Sequence, residues 1–324
     1  MKAIIPAAGL ATRLRPHTYS TPKALIKLGQ KPVIDYIIDI LVECGIKDIV
    51  LIVGPGGEKI ESHIKKNRQI KSSFFYQTEF NGLPHAISIA SDELTDEPVL
   101  IVLGDTIFEA DLHLTIKGKY NSIGVKKVDN PKKYGVVVLD DNSYITGLVE
   151  KPDKFISNLA IVGVYFFKKG SVLKNSLQYI IDNNIKTKGE AQITDALQNM
   201  IDNGEKFTTF EIEEWHDCGN PKNLIESNRF ILKKFSNNPN ISGSTIIEPC
   251  FIPPKADIVH SMLGPYVTIG KGTKVVNSII KNSIIGENNS IENMVLRNSI
   301  IGDNASIKGK ESSLNIGDSS VLDF

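Results

Sequence analysis

The stretch from 277 to 309 reads NSIIKNSIIGENNSIENMVLRNSIIGDNASIKG, which is two related copies of one motif. The dipeptide Ile-Gly begins at Ile269, Ile285 and Ile301, so the motif recurs every sixteen residues. Within each period aliphatic residues also return every six positions, for example at Ile285 and Ile291. This periodicity predicts a parallel β-helix, in which each short strand forms one face of a coil.

The repeats extend in both directions and predict a domain of their own. Ile252 upstream and Ile316-Gly317 downstream continue the pattern, which then comprises about four or five coils. A chain of 324 residues is long enough for two cores, since single cores stop growing at roughly 250 to 300 residues. We predict one domain over residues 1–235 and a second over 241–324, joined by the linker SNNPN.

Apolar strands alternate with helices in the first domain. Candidate strands lie at Lys2–Pro6, Asp48–Val53 and Pro98–Leu103, and candidate helices at Val33–Cys44 and His85–Leu94. Continuous apolar strands separated by helices predict an α/β domain with a mixed, mostly parallel sheet that is covered on both faces. Such sheets bind ligands at the carboxyl ends of their strands.

The composition excludes several classes of function. Lysine and arginine number 37 and so do aspartate and glutamate, which gives no overall charge for binding nucleic acid or an anionic membrane. The apolar runs are shorter than the ~20 residues that span a bilayer. The cysteines Cys44, Cys218 and Cys250 are widely spaced, as is typical of reduced thiols. We therefore expect a cytoplasmic protein in which any binding of phosphate is local.

A loop rich in small side chains follows the first strand. Its candidate nucleotide-binding residues are Ala8, Gly9, Leu10, Ala11 and Thr12. Small side chains on a strand-to-helix loop let backbone N–H groups approach phosphate oxygens, and Arg13 and Lys23 can offset the charge of a triphosphate. The alternative interpretation is a tight turn whose basic residues are solvated.

Asp105 follows the most apolar strand of the chain. A carboxylate at this position indicates a hard cation such as Mg²⁺, which is usually held by one or two carboxylates together with substrate phosphates. A second acidic residue should therefore converge on the same point. The alternative interpretation of Asp105 is a helix N-cap, because Asp is a favoured cap.

Several ordered motifs together resemble sugar-1-phosphate nucleotidylyltransferases. They are Thr12-Arg13, Pro16, Lys23, Lys31-Pro32, Glu150-Lys151-Pro152, the segment Lys188–Asp195, and Glu214–Gly219 with its Trp-x-Asp-x-Gly pattern. The hexapeptide repeats resemble those of left-handed β-helices, and the first domain resembles a Rossmann-like nucleotidyltransferase domain. The chain departs from many relatives by carrying Ala8 and Ala11 in place of glycine.

The resemblance assigns roles to residues that their spacing alone does not. It implies a second metal ligand at Asp217, with an ordinary Asp-x-Gly turn as the alternative. It implies that Gln77 and Gly82 contact the base. It also implies that the sugar phosphate is bound by Tyr134, Gly135, Glu150, Lys151 and Glu190. In this interpretation Arg13 and Lys23 stabilise the pyrophosphate leaving group and Lys151 orients the attacking phosphate.

The implied reaction joins a nucleoside triphosphate to a hexose 1-phosphate in a Mg²⁺-dependent step. dTTP or UTP and glucose 1-phosphate are the substrates that the resemblance favours, and the aliphatic rows of the repeats favour a homo-oligomer. One alternative is a bifunctional enzyme whose β-helix also transfers acetyl groups, with His260 as the candidate base. Another is a regulatory subunit that binds sugar nucleotides without turnover.

Overall fold

The computed structural model describes residues 1–310. The predicted continuation of the repeats at Ile316-Gly317 lies outside this range. The chain forms two compact units, of which the first comprises residues 1–27 and 31–227. Within the described range, the second unit comprises residues 28–30 and 228–310. No helix of the described residues is long and apolar enough to cross a membrane.

The strands that precede the repeats are short and mostly buried. They are β1 Lys2–Ala7, β2 Lys27–Leu28, β3 Lys31–Pro32, β4 Asp48–Val53, β5 Lys71–Tyr76, β6 Val99–Val102, β7 Thr106–Glu109, β8 Asn121–Lys127, β9 Gly135–Leu139, β10 Ile145–Glu150, β11 Leu159–Phe167, β12 Phe207–Glu211 and β13 Glu214–Asp217. In the described part of the first unit, nine of them form one sheet.

This sheet is mixed. Four of its parallel strands come from the first 102 residues, and β12 also pairs in parallel with β8. Its main order is β10-β9-β11-β6-β1-β4-β5, and β8 and β12 extend it beside β11. Strands β6, β1, β4 and β5 run parallel, whereas β11 runs antiparallel to β6, β8 and β9. The carboxyl ends of β1, β4 and β6 therefore lie at the same edge of the sheet, where such folds bind ligands.

The helices of the chain are α1 Val33–Glu43, α2 Gly57–Asn67, α3 Leu83–Ile89, α4 Leu112–Ile116, α5 Gly170–Asp182, α6 Ile193–Asp202 and α7 Pro221–Lys234. The predicted helix over His85–Leu94 is two elements, because α3 ends at Ile89 and a 3-10 turn follows at Ser91–Glu93. Serine and aspartate favour turns over helix interiors, which accounts for this early end.

The second unit contains the repeats as a stack of parallel strands. They are β14 Thr245–Ile246, β15 Cys250–Phe251, β16 Asp257–Val259, β17 Met262–Leu263, β18 Val267–Ile269, β19 Lys274–Val276, β20 Ile279–Lys281, β21 Ser283–Ile285, β22 Ser290–Glu292, β23 Val295–Arg297, β24 Ile300–Ile301 and β25 Ser306–Lys308. Over the described coils they form three four-stranded sheets, which are the faces of a β-helix.

Each coil places aliphatic side chains in a shared interior. Ile258, Val275 and Ile291 occupy successive levels of one face and belong to a single buried cluster. Asparagines in the left-handed region of φ mark many corners, for example Asn282 at 48° and Asn298 at 52°. Asparagine tolerates this conformation better than other residues with a Cβ. The predicted fold class, an α/β domain followed by a left-handed parallel β-helix, is confirmed.

Candidate active site

The loop after β1 is held in a fixed conformation by its own backbone. Ala11 lies in the left-handed region, with φ of 46°, and its carbonyl accepts hydrogen bonds from the Leu14 N–H and the Thr18 hydroxyl, both at 2.9 Å. Thr12–Leu14 form a 3-10 turn, and Leu14 is fully buried beneath it. The buried leucine and the bonded carbonyl keep the small residues before Ala11 at the edge of the sheet.

Two glycines allow neighbouring strand ends to approach this loop closely. A Cβ on Gly54, directly after β4, would lie 2.4 Å from the Ala8 carbonyl oxygen. A Cβ on Gly104, after β6, would lie 2.7 Å from the Ala7 Cβ. Neither position can carry a side chain, so the three strand ends meet only because these residues are glycine. Neither close approach was predicted from the sequence, although a glycine at the end of a buried strand is a readable signal.

A cavity of about 320 Å³ opens on this edge of the first unit. Its lining includes Ala8, Gly9 and Leu10, which are predicted nucleotide-binding residues, and Lys23, which is a predicted catalytic residue. The rest of its lining comes from Ala7, Arg15, Thr18–Pro22, Gly54–Gly56 and Glu58–Ile60.

The cationic part of this lining differs from the prediction. Among the described residues, Arg15 and Lys59 line the cavity, whereas the exposed Thr12 and Arg13 do not. The sequence pattern could not distinguish Arg13 from Arg15, because side-chain direction within a 3-10 turn does not follow the period of a strand or a helix.

Lys23 links this cavity to the two predicted metal ligands. Its Nζ lies 2.5 Å from Asp105 Oδ2 and 4.0 Å from Asp217 Oδ1. Strands β7 and β13 pair in antiparallel fashion, with Thr106 opposite Asp217, and the Cys218 N–H donates to the Asp105 carbonyl at 3.0 Å. The alternative of a helix N-cap at Asp105 is wrong, because a strand follows it.

Asp217 lies in an unusual electrostatic environment. Burial raises the pKa of its carboxyl group, and the neighbouring Asp105 raises it further. Lys23, the Gly219 N–H and the Asn223 side chain lower the pKa and partly offset this rise. Asn223 Nδ2 donates to Asp217 Oδ2 at 3.2 Å, a contact that the sequence analysis missed. A destabilised carboxylate beside a second carboxylate is a favourable site for a cation.

The donor set at this point fits a magnesium ion. The Asp105 and Asp217 side chains are 38% and 39% exposed, so both carboxylates remain open to a bound ligand. Within residues 1–310 there is no group of three or more His, Cys, Asp or Glu side chains that could bind a metal without help from a substrate. Mg²⁺ commonly takes one or two carboxylates and completes its shell with phosphate oxygens and water.

A smaller cavity of about 160 Å³ has Asp217 in its lining. The rings of Tyr134 and Trp215 pack edge to face in its lining, with centroids 4.8 Å apart, and Asn223 also lines it. Burial lowers the pKa of His216 in the same wall. Tyr134 therefore lies in the same cavity wall as Asp217, and its contact with the sugar phosphate stays a prediction.

Tyr134 lies close to three other predicted sugar-phosphate residues, Gly135, Glu150 and Lys151. The Lys151 N–H donates to the Tyr134 carbonyl at 3.0 Å, and a Cβ on Gly135 would lie 2.9 Å from Glu150 Oε2. Lys151 has a φ of 44°, and its Nζ lies 3.3 Å from Glu150 Oε1. The left-handed conformation breaks the usual alternation of side chains, so that two consecutive residues can reach the same place.

The two predicted base-contacting residues, Gly82 and Gln77, have different surroundings. Gly82 has a φ of 93°, and a Cβ there would lie 2.4 Å from the Ala191 carbonyl oxygen. Gly82 thus packs against the residue that follows the exposed Glu190. Gln77 is only 5% exposed, and its amide Nε2 donates to the Glu79 carbonyl at 2.8 Å. Its amide is therefore engaged within its own loop.

Comparison with known proteins identifies the family. The family model described as Nucleotidyl transferase matches residues 2–234, which are more than half of the chain. The chain belongs to the nucleotidyl transferase family. This nucleotidyl transferase is 38% identical over 257 residues to a Bifunctional protein GlmU from Methanocaldococcus jannaschii, covering 76% of the chain and 60% of that relative. It is 33% identical over 316 residues to a glucose-1-phosphate thymidylyltransferase from Streptomyces antibioticus, covering 88% and 87% of the two chains.

A solved structure supports the same grouping. It is described as a glucose-1-phosphate thymidylyltransferase from Bacillus anthracis in complex with a sucrose, and it matches this nucleotidyl transferase with a TM-score of 0.64. The two chains are 26% identical, and the match covers 74% of this chain and 98% of the other. The resemblance to sugar-1-phosphate nucleotidylyltransferases is therefore confirmed. Members of the family generally use a divalent metal ion.

Proposed function

We propose that this protein transfers a nucleotidyl group from dTTP or UTP to a hexose 1-phosphate, with glucose 1-phosphate as the favoured acceptor. The products are a nucleoside diphosphate sugar and pyrophosphate. The observation that carries this proposal is the contact of Lys23 with Asp105 and Asp217 at the edge of the sheet. Relatives named glucose-1-phosphate thymidylyltransferase support the choice of substrates. The cytoplasm, where nucleoside triphosphates are plentiful, is the proposed location.

We propose that the two kinds of sequence pattern correspond to two domains with different roles. Residues 1–235 would form the catalytic domain, and residues 241–324 a hexapeptide-repeat β-helix domain. All residues with a proposed catalytic or binding role precede residue 236. The chain spans 60% of the length of the GlmU relative, which is named as a bifunctional protein. Acetyl transfer by the repeats therefore needs a test of its own.

The proposed metal ion is Mg²⁺, held by Asp105 and Asp217. When bound, it would neutralise negative charge on the phosphate groups of both substrates. The loop residues Ala8, Gly9, Leu10, Ala11 and Thr12 would surround the triphosphate, with backbone N–H groups as donors.

The protein residues mainly position the substrates, because phosphoryl transfer needs little covalent chemistry from the enzyme. A phosphate oxygen of the sugar 1-phosphate would attack the α-phosphorus, forming one P–O bond while the bond to the pyrophosphate oxygen breaks. Lys23 and Arg13 would stabilise the leaving pyrophosphate, and Arg15 joins them because it lines the cavity. Lys151 would orient the attacking phosphate, and Glu150 would accept a hydrogen bond from a sugar hydroxyl.

The direct test of this function is pyrophosphate release in a Mg²⁺-containing panel. dTTP, UTP, GTP, ATP and CTP are each combined with glucose 1-phosphate, an amino-sugar 1-phosphate and mannose 1-phosphate. We expect release confined to dTTP or UTP with glucose 1-phosphate. Folded protein that releases no pyrophosphate from any pair would contradict the proposal and favour a regulatory subunit. Consumption of acetyl-CoA, added to the samples that contain the amino-sugar 1-phosphate, would favour the bifunctional alternative.

A mutation at Gly82 tests the proposed base-binding side of the site. Gly82→Ala would drive its Cβ into the Ala191 carbonyl oxygen, which must move together with the neighbouring Glu190. Displacing substrate-positioning groups by about 1 Å can cost up to about a hundredfold in rate. We expect kcat/KM for the preferred nucleotide to fall about tenfold or more, measured by initial rates of pyrophosphate release.

Gly189→Ala is the matched control for this change. Gly189 has a φ of 91°, close to that of Gly82, but a Cβ there would meet no atom within 4 Å. The control therefore has the same conformational cost without the collision. Equal losses of activity in the two variants would contradict the assignment of Gly82.

We also propose that a second copy of the chain covers one face of the β-helix. This face, formed by β14, β17, β20 and β23, carries an exposed column of Met262, Ile279 and Val295, which are 39%, 48% and 77% exposed. The face formed by β16, β19, β22 and β25 instead carries ion pairs, such as Lys274 with Asp257. Contiguous exposed apolar surface commonly marks an interface, and a column that follows the repeats can pack against its own copy.

Light scattering coupled to size-exclusion chromatography tests this homo-oligomer. We expect the native protein to elute as an oligomer and Ile279→Glu to shift it to the mass of a monomer, because a buried unpaired charge opposes association. Ser290→Glu adds the same charge at an exposed position on the face with the ion pairs, and we expect it to leave the oligomer intact. A monomeric native protein would refute the proposal.

A further inference from the structure

The Nζ of Lys23 lies between the carboxylates of Asp105 and Asp217. Its side chain is 13% exposed, which is less than that of either aspartate. The backbone around it is fixed, since Lys23 begins a 3-10 turn whose first carbonyl accepts from the Ile26 N–H at 3.0 Å and whose next residue, Ala24, is buried. The long side chain is therefore the part of Lys23 that can move.

Each carboxylate directs one oxygen toward Lys23 and has its other oxygen near a different group. Asp217 Oδ2 accepts from Asn223, while Oδ1 is the atom nearest Lys23. Asp105 Oδ1 lies 3.5 Å from the Thr106 hydroxyl, while Oδ2 contacts Lys23. The Lys23 ammonium thus occupies the space between Asp105 Oδ2 and Asp217 Oδ1, where a cation held by both carboxylates would have to compete with it.

We propose that Lys23 is the resident counterion of this carboxylate pair in the free enzyme, and that a divalent cation and the triphosphate displace it together. This inference rests on the proposed function. Two carboxylates and one ammonium carry a net charge of −1, which attracts a divalent cation less strongly than the −2 of the carboxylates alone. Lys23 also lines the 320 Å³ cavity, so its ammonium can exchange Asp105 for the phosphate groups of a nucleotide.

The exchange makes the two ligands cooperative. A triphosphate that draws Lys23 away leaves the carboxylates free for the cation, and a cation that binds the carboxylates releases Lys23 for the triphosphate. By linkage each ligand must raise the affinity for the other by the same factor. Lys23 would therefore be a positioning residue for the metal site in addition to its proposed contact with pyrophosphate.

Binding of Mn²⁺ to the full-length protein without nucleotide tests this arrangement. Free Mn²⁺ is quantified by electron paramagnetic resonance in titrations of the native protein and of Lys23→Met, with Lys23→Gln as a second neutral variant. We expect either neutral variant to bind Mn²⁺ about tenfold more tightly than the native protein, because an opposing charge within ion-pair distance has been removed. A lysine that served only as a phosphate contact would leave this affinity unchanged.

Lys59→Met is the matched control. Lys59 lines the same cavity and carries the same charge, but its Nζ donates to the Ser20 carbonyl at 2.5 Å. We expect its loss to change the affinity for Mn²⁺ by less than about twofold, since a more distant and solvated charge is screened. Circular dichroism establishes that each variant is folded.

The outcomes separate this inference from the proposed function. The inference is overturned if folded Lys23→Met and Lys23→Gln bind Mn²⁺ no more tightly than the native protein, or if Lys59→Met tightens binding equally. The proposed function is overturned if the native protein binds Mn²⁺ with dTTP or UTP but releases no pyrophosphate from any substrate pair. Tighter binding in both Lys23 variants, with Lys59→Met unchanged, supports the counterion role.

Discussion

Asp105→Asn is expected to lower kcat for pyrophosphate release at least about a hundredfold, the usual scale for losing one electrostatic contact to the transition state. The substitution keeps the size of the side chain but removes the charge that contacts Lys23 and that would hold the metal. The fold should remain, because the Asp105 side chain is 38% exposed and its backbone carbonyl still accepts from Cys218. Initial rates at saturating substrate and thermal unfolding by circular dichroism measure the two effects.

Asp141→Asn is the control for this change, because Asp141 is an exposed turn residue of the same unit. It should retain full activity. The metal assignment would be wrong if Asp105→Asn kept near-normal turnover. Loss of both activity and the cooperative unfolding transition would instead indicate that Asp105 has a structural role.

The second unit could be predicted largely from its sequence, because its repeats are local. A period of sixteen residues puts Ile285 and Ile301 at equivalent levels, and the register confirms that pairing. The earlier coils are longer by one residue, with Ile258 opposite Val275. A single added residue at a corner leaves the stack intact, so the aliphatic pattern identified the fold without fixing the length of every coil.

The carboxyl-end rule placed Asp105 correctly, but the sequence could not reveal its partner. Lys23 and Asp105 are 82 residues apart in the chain, and no local pattern indicates that they form an ion pair. The same applies to Gly54, whose close approach to Ala8 depends on the pairing of β1 with β4. Contacts of this kind arise from tertiary structure, which motif spacing does not encode.

Left-handed backbone conformations limited what the sequence could indicate about side-chain direction. Ala11 and Lys151 both have positive φ, although neither is glycine. At such positions side chains no longer alternate as they do along a strand. The direction of the Arg13 side chain and the shared location of Glu150 and Lys151 could therefore not be predicted from the sequence. Strained conformations of this kind cost about 1 to 3 kcal/mol and cluster at functional sites.

Gly264→Ala is expected to be among the most destabilising single substitutions in the repeats. Gly264 has a φ of 111°, and a Cβ there would lie 1.8 Å from the Ile247 carbonyl oxygen and 2.8 Å from Cys250 Sγ. Ile247 cannot yield easily, because its own N–H donates to the Leu263 carbonyl at 2.8 Å. Collision with fixed backbone adds to the cost of positive φ, so we expect a loss of about 3 kcal/mol or more in the free energy of unfolding.

Gly243→Ala separates the two contributions, because Gly243 has a φ of 74° and a Cβ there would make only an ordinary contact, 3.4 Å from His260 Cδ2. Its cost should be about 1 to 2 kcal/mol, which is the price of the left-handed conformation alone. Calorimetry of both variants measures the difference, and equal transitions would contradict the collision argument.

If residues 1–235 form the catalytic domain, Gly264→Ala protein assayed well below its transition should still release pyrophosphate at the native rate. A parallel loss of activity at low temperature would show instead that turnover depends on the repeats.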